Sequence, residues 1–466
     1  MRERFWCCAG WLAAVLLMAG CRSDPSLDDP LACHGGAYRL DDGTFVFVTP
    51  VDSTTLRYRF IDGRSGRLYP GEDGAFVSGT GWSVREPVVV RVRFGDCDDR
   101  RIEFNSSGAA SIAGARVELE ARPLDFTRDG VSFAGRLLLP EHEPDALVVL
   151  VHGSEKTPAI GRYVLQYLLP TQGIAVFVFD KRGTGGSGGE YTQDFDVLAS
   201  DVVAAVGAVR STPALAGIPV GLLGGSQGGW VAPLAATRTD VDFVIATYGM
   251  AEGPLAEDRE EVQSELRALG YDEDVLDRAR EVTDATGRLI ATDFQEGSAA
   301  LAAVKARYGD EPWFAQIHGE YTGDLIRYPL WLVRLIAPFY DQGTTWDYAP
   351  RPVLERIDVP MLWVLGGRDT EAPSATTVAI LTELQRLPGR LDIAVFPNAE
   401  HGIIEVQDGP DGRRELGHSP GYFPLLIDWI AGRRVRQEYG DAVLYLDPIA
   451  SRSELPDEAD GRYGRQ

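Results

Sequence analysis

Two rhythms of apolar and polar residues divide this chain. In residues 37–119 short segments alternate between the two classes and are broken by Asp-Gly and Gly-rich turns, with candidate strands at 44–49, 55–60, 87–94, 101–104 and 115–119. A period of two places apolar groups on one face of a strand only, and Asp41-Asp42-Gly43 and Ile61-Asp62-Gly63 offer hairpin turns. The pattern predicts a small antiparallel β module, either a barrel or a sandwich. After Arg122 the apolar residues come in continuous runs, at 146–151, 174–179, 218–223, 242–247, 361–365 and 391–396, with helical stretches between them. Uninterrupted Val, Leu, Ile and Phe suit the strands of a parallel sheet covered on both faces. Residues 194–210 put Leu198, Val202, Val206 and Val209 at helical spacing, with Asp194 near the start and Arg210 at the end. That predicts a helix packed on the sheet.

Between Gly249 and Pro360 the alternation stops, and charged helix-like segments follow at 257–269, 273–289 and 299–308. This predicts a helical cap inserted at about 250–350. Its most apolar stretch, 328–340, carries Leu330, Trp331, Leu332, Leu335, Ile336 and Phe339; it reads as the cap's own core, with a substrate-facing role as the alternative. Beyond about Arg434 the sequence is polar, acidic and Gly-containing, and is expected to be poorly ordered. The units expected are a leader over 1–20, a β-rich module over 21–121, an α/β domain with its cap over 122–433, and a tail over 434–466.

The leader reading rests on Arg2 and Arg4 followed by an apolar run from Phe5 to Ala19, the layout of a secretory signal peptide and too short for a membrane span. Met18-Ala19-Gly20-Cys21 resembles the bacterial lipobox, which implies lipid modification of Cys21; an ordinary signal peptide that happens to hold a cysteine is the alternative. Removing Arg2, Glu3 and Arg4 would take the formal charge from −24 to −25 and leave Cys33 and Cys97 as the other thiols. In an exported chain these two suggest one disulfide, against the alternative of two buried free thiols. So negative a chain repels nucleic acid and bare anionic lipid, so membrane attachment would come from the lipid at Cys21. The expected location is therefore the bacterial cell envelope, with the protein exported and lipid-anchored. With 44% hydrophobic residues the mature chain has enough apolar material for two cores.

Residues 218–230 bring in chemistry. A short apolar strand runs into Gly224-x-Ser226-x-Gly228, and a helical pattern follows at once. This is the layout of a nucleophile elbow, whose turn is tight enough to require glycine on either side of an exposed serine. A serine hydroxyl needs a base within reach and an acid to orient that base. Residues 360–369 form a buried strand ending in Gly366-Gly367-Arg368-Asp369, and the strand 391–396 is followed by Pro397-Asn398-Ala399-Glu400-His401-Gly402. The C-terminal edges of such strands are where open α/β sheets place their sites.

Ser226, Asp369 and His401 stand in the chain order of the α/β-hydrolase triad. Together with Val149-Leu150-Val151-His152-Gly153-Ser154, Phe179-Asp180-Lys181-Arg182-Gly183-Thr184-Gly185 and Gly229-Trp230, they make residues 126–433 resemble the α/β-hydrolase superfamily. The resemblance is to its bacterial branch of serine aminopeptidases and dienelactone hydrolases. It implies an α/β-hydrolase fold with a mostly parallel sheet and a helical cap, preceded here by the small antiparallel β domain. It also implies an oxyanion hole made by the backbone N–H groups of Ser154 and Gln227, and a small-molecule acyl substrate, an ester or thioester, with an amide as the rival and a non-catalytic binding lipoprotein as the alternative from another class. His418 competes with His401 for the base, although no strand was expected directly before it, and Glu371 and Asp358 compete with Asp369 for the acid. His152 reads as structural, and His34, His142 and His318 as surface or packing residues. Gly183-x-Gly185-x-x-Gly188 fits a dinucleotide-binding pattern, but Lys181 and Arg182 precede it, the helix begins only near Asp194, and no acidic strand end follows at the usual distance. It reads instead as a tight loop that Arg182 pins. No cofactor or metal is expected, since there is no His-Glu-x-x-His and no cysteine pair at ligand spacing.

Overall fold

The computed structural model describes residues 30–340, 342–387, 391–409, 412–432 and 435–447, with side chains 338–340 left aside. The leader 1–20, Cys21 and the end of the tail lie outside the described residues. No described helix is long and apolar enough to cross a membrane.

The N-terminal module is a closed barrel of eight antiparallel strands, Gly36–Leu40, Phe45–Pro50, Leu56–Phe60, Ser65–Pro70, Phe76–Ser78, Val90–Phe94, Arg101–Ser106 and Ile112–Arg116. Pairing of Tyr38 with Arg116 closes it, and Val46, Val48, Leu56, Leu68, Val92 and Phe104 fill its interior. The alternation had suggested strands covered on one face only, yet Phe45–Pro50 is buried almost throughout. Val46 and Val48 point into the barrel, while Ala37 and Phe47 point out into the core of the second domain. The docked neighbour covers the second face. Cys33 and Cys97 form a disulfide beside the barrel.

The second domain is built on a nine-stranded sheet in the order Val443–Tyr445, Leu391–Phe396, Met361–Gly366, Phe243–Thr247, Val220–Gly225, Ala146–Val151, Ile174–Phe179, Gly135–Leu139 and Glu120–Pro123. The six strands from Leu391–Phe396 to Ile174–Phe179 run parallel, and the edge strands are antiparallel. Ala146–Val151 shows why its sequence is uninterrupted: Leu147, Val149 and Val151 enter one core, and Ala146, Val148 and Leu150 the other. Helix Phe195–Arg210 packs on the first of these faces, capped by Asp194, whose carboxylate accepts the Val197 N–H at 3.0 Å.

Helices Pro254–Ala268, Glu273–Ala291, Ser298–Tyr308, Thr322–Arg327 and Leu330–Tyr340 form the cap. The cap core is Val262, Leu266, Leu276, Val282, Leu289 and Leu301. The apolar stretch at 328–340 is largely outside it, with Trp331 70% and Leu335 61% exposed, so the sequence reading of this stretch as core is corrected. Within the tail the expectation of poor order is corrected for residues 435–447 only. Val443–Tyr445 adds an antiparallel strand to Leu391–Phe396, and the Tyr439 hydroxyl donates to Asp428 at 2.9 Å from a buried position. Backbone pairing, with Gln385 donating to the Tyr445 carbonyl at 2.9 Å and the Asp447 N–H to Asp392 at 3.1 Å, holds this otherwise polar segment against the sheet edge.

Candidate active site

The strand Val220–Gly225 ends at Ser226, which takes φ 54°, a left-handed backbone that a non-glycine residue rarely adopts. The turn holds because there is no room for anything larger beside it: a Cβ on Gly224 would stand 2.2 Å from the Gly228 carbonyl oxygen, and one on Gly228 2.9 Å from that of His152. The Ser226 N–H donates to the Thr247 carbonyl at 3.0 Å, and helix Gly228–Ala236 starts two residues on. The serine is thus raised at the C-terminal end of the sheet.

Asp369 follows the strand Met361–Gly366 and is almost fully buried, its side chain 1% exposed. Its Oδ1 accepts the N–H groups of Glu371 at 3.0 Å and Ala372 at 2.8 Å, and its Oδ2 lies 2.9 Å from His401 Nδ1. This carboxylate has its acceptor sites filled by one loop and one imidazole, which fixes the ring's orientation. Burial alone would lower the His401 pKa; the Asp369 carboxylate, with Glu371 and Glu257 behind it, outweighs burial and raises it above its ordinary value. His401 Nε2 faces away from Asp369, and no hydrogen bond from Ser226 Oγ to it is closed among the described residues. Tyr248 spans the two: its ring lies edge-on to His401 with centroids 5.1 Å apart, and its hydroxyl end rests on Gly225, where a Cβ would meet it at 2.3 Å.

The loop after Ala146–Val151 comes up beside the serine. A Cβ on Gly153 would lie 3.7 Å from Ser226 Cβ, and Lys181 Nζ holds the loop by donating to the Gly153 carbonyl at 2.8 Å. Burial brings the Lys181 pKa down to about 8. Tyr191 donates to the Ser154 carbonyl and Tyr163 to Glu155 in the same loop. Neither the Ser154 nor the Gln227 N–H is taken by another backbone carbonyl among the described residues, so both remain available to an incoming oxygen.

The other sequence candidates fall elsewhere. His152 is buried with Nε2 on the Phe179 carbonyl, and burial with nearby Lys181 brings its pKa down to about 3, which makes it a neutral packing residue. His418 closes the strand Gly412–His418, contrary to the expectation that none precedes it. Its ring is nevertheless committed to the barrel: Arg59 Nε donates to His418 Nε2 at 3.3 Å, and Trp82 lies edge-on to it. Burial, then Arg59 and Arg57, hold its pKa well below the ordinary range. Asp358 is exposed before the start of the strand that ends near Asp369, at the far end of the sheet. Glu371 is not the orienting acid, although its Oε2 stands 3.9 Å from His401 Nε2. Arg182 makes a two-point ion pair with buried Asp201, 2.6 Å on each arm, which ties the 183–188 loop to helix Phe195–Arg210.

Three participants were absent from the sequence reading. Tyr248 had a faint signal, an aromatic residue directly after a strand. Glu257 of helix Pro254–Ala268 and Glu320 had none, since they reach the site from the cap. Burial, followed by Glu320, raises the Glu257 pKa well above its ordinary value, with His401 opposing. The cap therefore presents carboxyl groups to the His401 side of the site.

Residues 142–253 match the family described as serine aminopeptidase, S33. Two Mycobacterium tuberculosis proteins carrying the provisional name phosphoribosyl transferase are 30% identical over 152 residues, a match that covers 32% of this chain and only 34% of theirs. Among solved structures, an esterase of Pyrococcus furiosus overlaps 61% of this chain and 84% of its own at 17% identity, with a TM-score of 0.39. An acylaminoacyl peptidase of Pyrococcus horikoshii overlaps 86% of this chain and 58% of its own at 13% identity, with a TM-score of 0.43. The matched family segment contains both the strained elbow and the loop beside it, on the mostly parallel sheet described above. Over residues 142–253 the chain is similar to the serine aminopeptidase family.

Proposed function

We propose that this protein is a serine hydrolase that cleaves small carboxylic esters or thioesters with Ser226 as nucleophile, His401 as base and Asp369 as orienting acid. The observation that carries the reading is the 2.9 Å contact from His401 Nδ1 to Asp369 Oδ2 at the same sheet edge as the strained Ser226. With Nδ1–H committed to Asp369, Nε2 is the free acceptor for the serine proton. Ser226 Oγ attacks the carbonyl carbon, and the resulting oxyanion is taken by the N–H groups of Ser154 and Gln227. His401 then gives its proton to the leaving oxygen or sulfur, and water repeats the cycle on the acyl-enzyme. Lipid attachment at Cys21, in the cell envelope of a bacterium, belongs to the same proposal.

A second reading has an observation of its own. Glu257 and Glu371 carry carboxyl groups on the His401 side of the site, with Glu320 beside Glu257, and such a wall, which a nearby cation would ionise, suits a substrate carrying an ammonium group next to the cleaved bond. The family match to serine aminopeptidases points the same way. Fluorophosphonate labelling tests the common core: the wild-type chain should be labelled and Ser226→Ala should not, with ester turnover falling on the order of 10⁶-fold in the variant. A wild-type chain that takes no label is a binding protein and the proposal fails. Comparing p-nitrophenyl butyrate with amino-acid p-nitroanilides then chooses between ester and aminopeptidase chemistry.

A further inference from the structure

Away from the elbow, a cleft of about 430 Å³ opens at the seam between the barrel and the hydrolase domain. Its volume is in the range of small-molecule sites. The barrel supplies Arg100 and Arg116, the hydrolase sheet supplies Arg136, and the connecting segment supplies Glu118. Three guanidinium groups against one carboxylate converge here in a chain whose formal charge is −24. Protein partners occupy only part of this donor set. Arg100 donates to Glu118 at 2.5 Å and Arg116 to the Cys33 carbonyl at 3.0 Å. The Arg136 guanidinium makes no hydrogen bond or ion pair among the described residues, and neither does the Tyr167 hydroxyl beside it. Burial raises the Tyr167 pKa, and Arg136 and Arg116 pull against that rise, so both cations stand close to the phenol.

The remaining wall is apolar. Ala37, Val117, Leu119, Leu138 and the Tyr167 ring line it. A glycine lies at the floor: a Cβ on Gly36 would stand 2.6 Å from Arg116 Nε, so its absence leaves room for that side chain across the cleft. A planar fork of five unused N–H donors is matched by a carboxylate or phosphate, which accepts two of them at once. An apolar wall beside that fork is matched by a hydrocarbon stem.

We propose that this seam cleft binds a small amphiphilic anion, a carboxylate or phosphate on an apolar stem, held by Arg136 and Tyr167 with Arg116 behind them. The site is separate from the Ser226 chemistry and does not depend on it. The test is calorimetric titration of the full chain with octanoate, with octyl phosphate and with inorganic phosphate. At least one octyl probe should bind, and the tighter of the two identifies a fatty acid or a lipid phosphate as the natural source of the anion. Inorganic phosphate, which lacks the stem, should bind about tenfold more weakly or not at all, and Arg136→Ala should weaken the octyl probe by about tenfold or more. Any octanoate held at the active site is untouched by that substitution, so the difference reports the cleft alone. Tyr167→Phe removes a single oxygen and carries the same test if Arg136→Ala fails to fold. The proposal is overturned if neither octyl probe binds, or if a folded variant binds as tightly as the wild type.

Discussion

At the residue scale the site is a problem of charge. In the proposed mechanism His401 must be neutral to accept the Ser226 proton, and Asp369, Glu371 and Glu257 all favour its protonated form over the opposing effect of burial. Activity should therefore be lost as pH falls through a raised His401 pKa, which places the acidic limb of kcat/KM above the ordinary histidine value of 6.5. Glu371 is the most exposed of the three carboxylates, at 62%. Glu371→Gln removes one support for the proton without touching the hydrogen bond to Asp369, so the limb should move to lower pH. A pH profile of p-nitrophenyl butyrate turnover reads this directly; a limb that stays put or moves upward contradicts the charge assignment. The residues proposed for the serine chemistry stood out beforehand, since each follows its own apolar run within a few positions. Glu257, Glu320 and Tyr248 were not, because a carboxylate on a cap helix looks in sequence like any solvated helix face until the cap is folded over the sheet.

Helices and strands show the same division. Buried parallel strands announce themselves by continuous apolar runs, and 146–151, 174–179 and 391–396 coincide with the strands observed. The barrel was partly legible: Gly, Ser and Pro blur the alternation in Ser65–Pro70, Gly36–Leu40 and Phe76–Ser78 are too short to show one, and all three are strands because neighbouring strands supply their partners. The tail strand Val443–Tyr445 was misread for a related reason, since three residues have no pattern to recognise. Least visible was the acidic character of helix Pro254–Ala268 as an energetic fact. Glu261 is 7% exposed on this helix. Burial, then Glu265 and Glu320, raise its pKa to about 9. The folded cap thus holds a proton that the unfolded chain releases near 4.5, so its contribution to stability is complete below 4.5 and is lost as pH rises through the folded value. Glu261→Gln should raise the melting temperature at about pH 8 and leave it unchanged near the ordinary carboxylate value. Equal melting temperatures at both pH values would show that this carboxyl group is hydrated.

At the scale of the whole molecule, the described residues pack the barrel directly against the second domain. Arg59 of the barrel lies beneath the active-site edge, with Nη1 on Thr49 Oγ1 at 2.9 Å and Nε on His418 Nε2 at 3.3 Å. His418 ends the hairpin that begins at Ile404, one short turn after His401. Trp82 extends the seam, its N–H donating to the Glu415 carbonyl at 3.0 Å while Arg57 stacks 3.5 Å over its ring. The buried faces of Ala37 and Phe47 belong to the hydrolase core and to no separate barrel core. A seam of this kind makes independent unfolding costly, because either partner alone would expose Phe47 and leave a buried histidine and arginine without each other. Calorimetry of the full chain should show barrel and hydrolase melting in a single transition. Arg59→Ala should lower its midpoint, with a loss of about 1–3 kcal/mol from the unpaired His418 and Thr49. It should also reduce kcat for ester turnover more than it changes KM, since the loop that carries His401 loses its support while the pocket walls are untouched. Two separate transitions in the wild type would mean that the barrel is an appended module, and an Arg59→Ala enzyme with unaltered kcat would remove it from the support of His401.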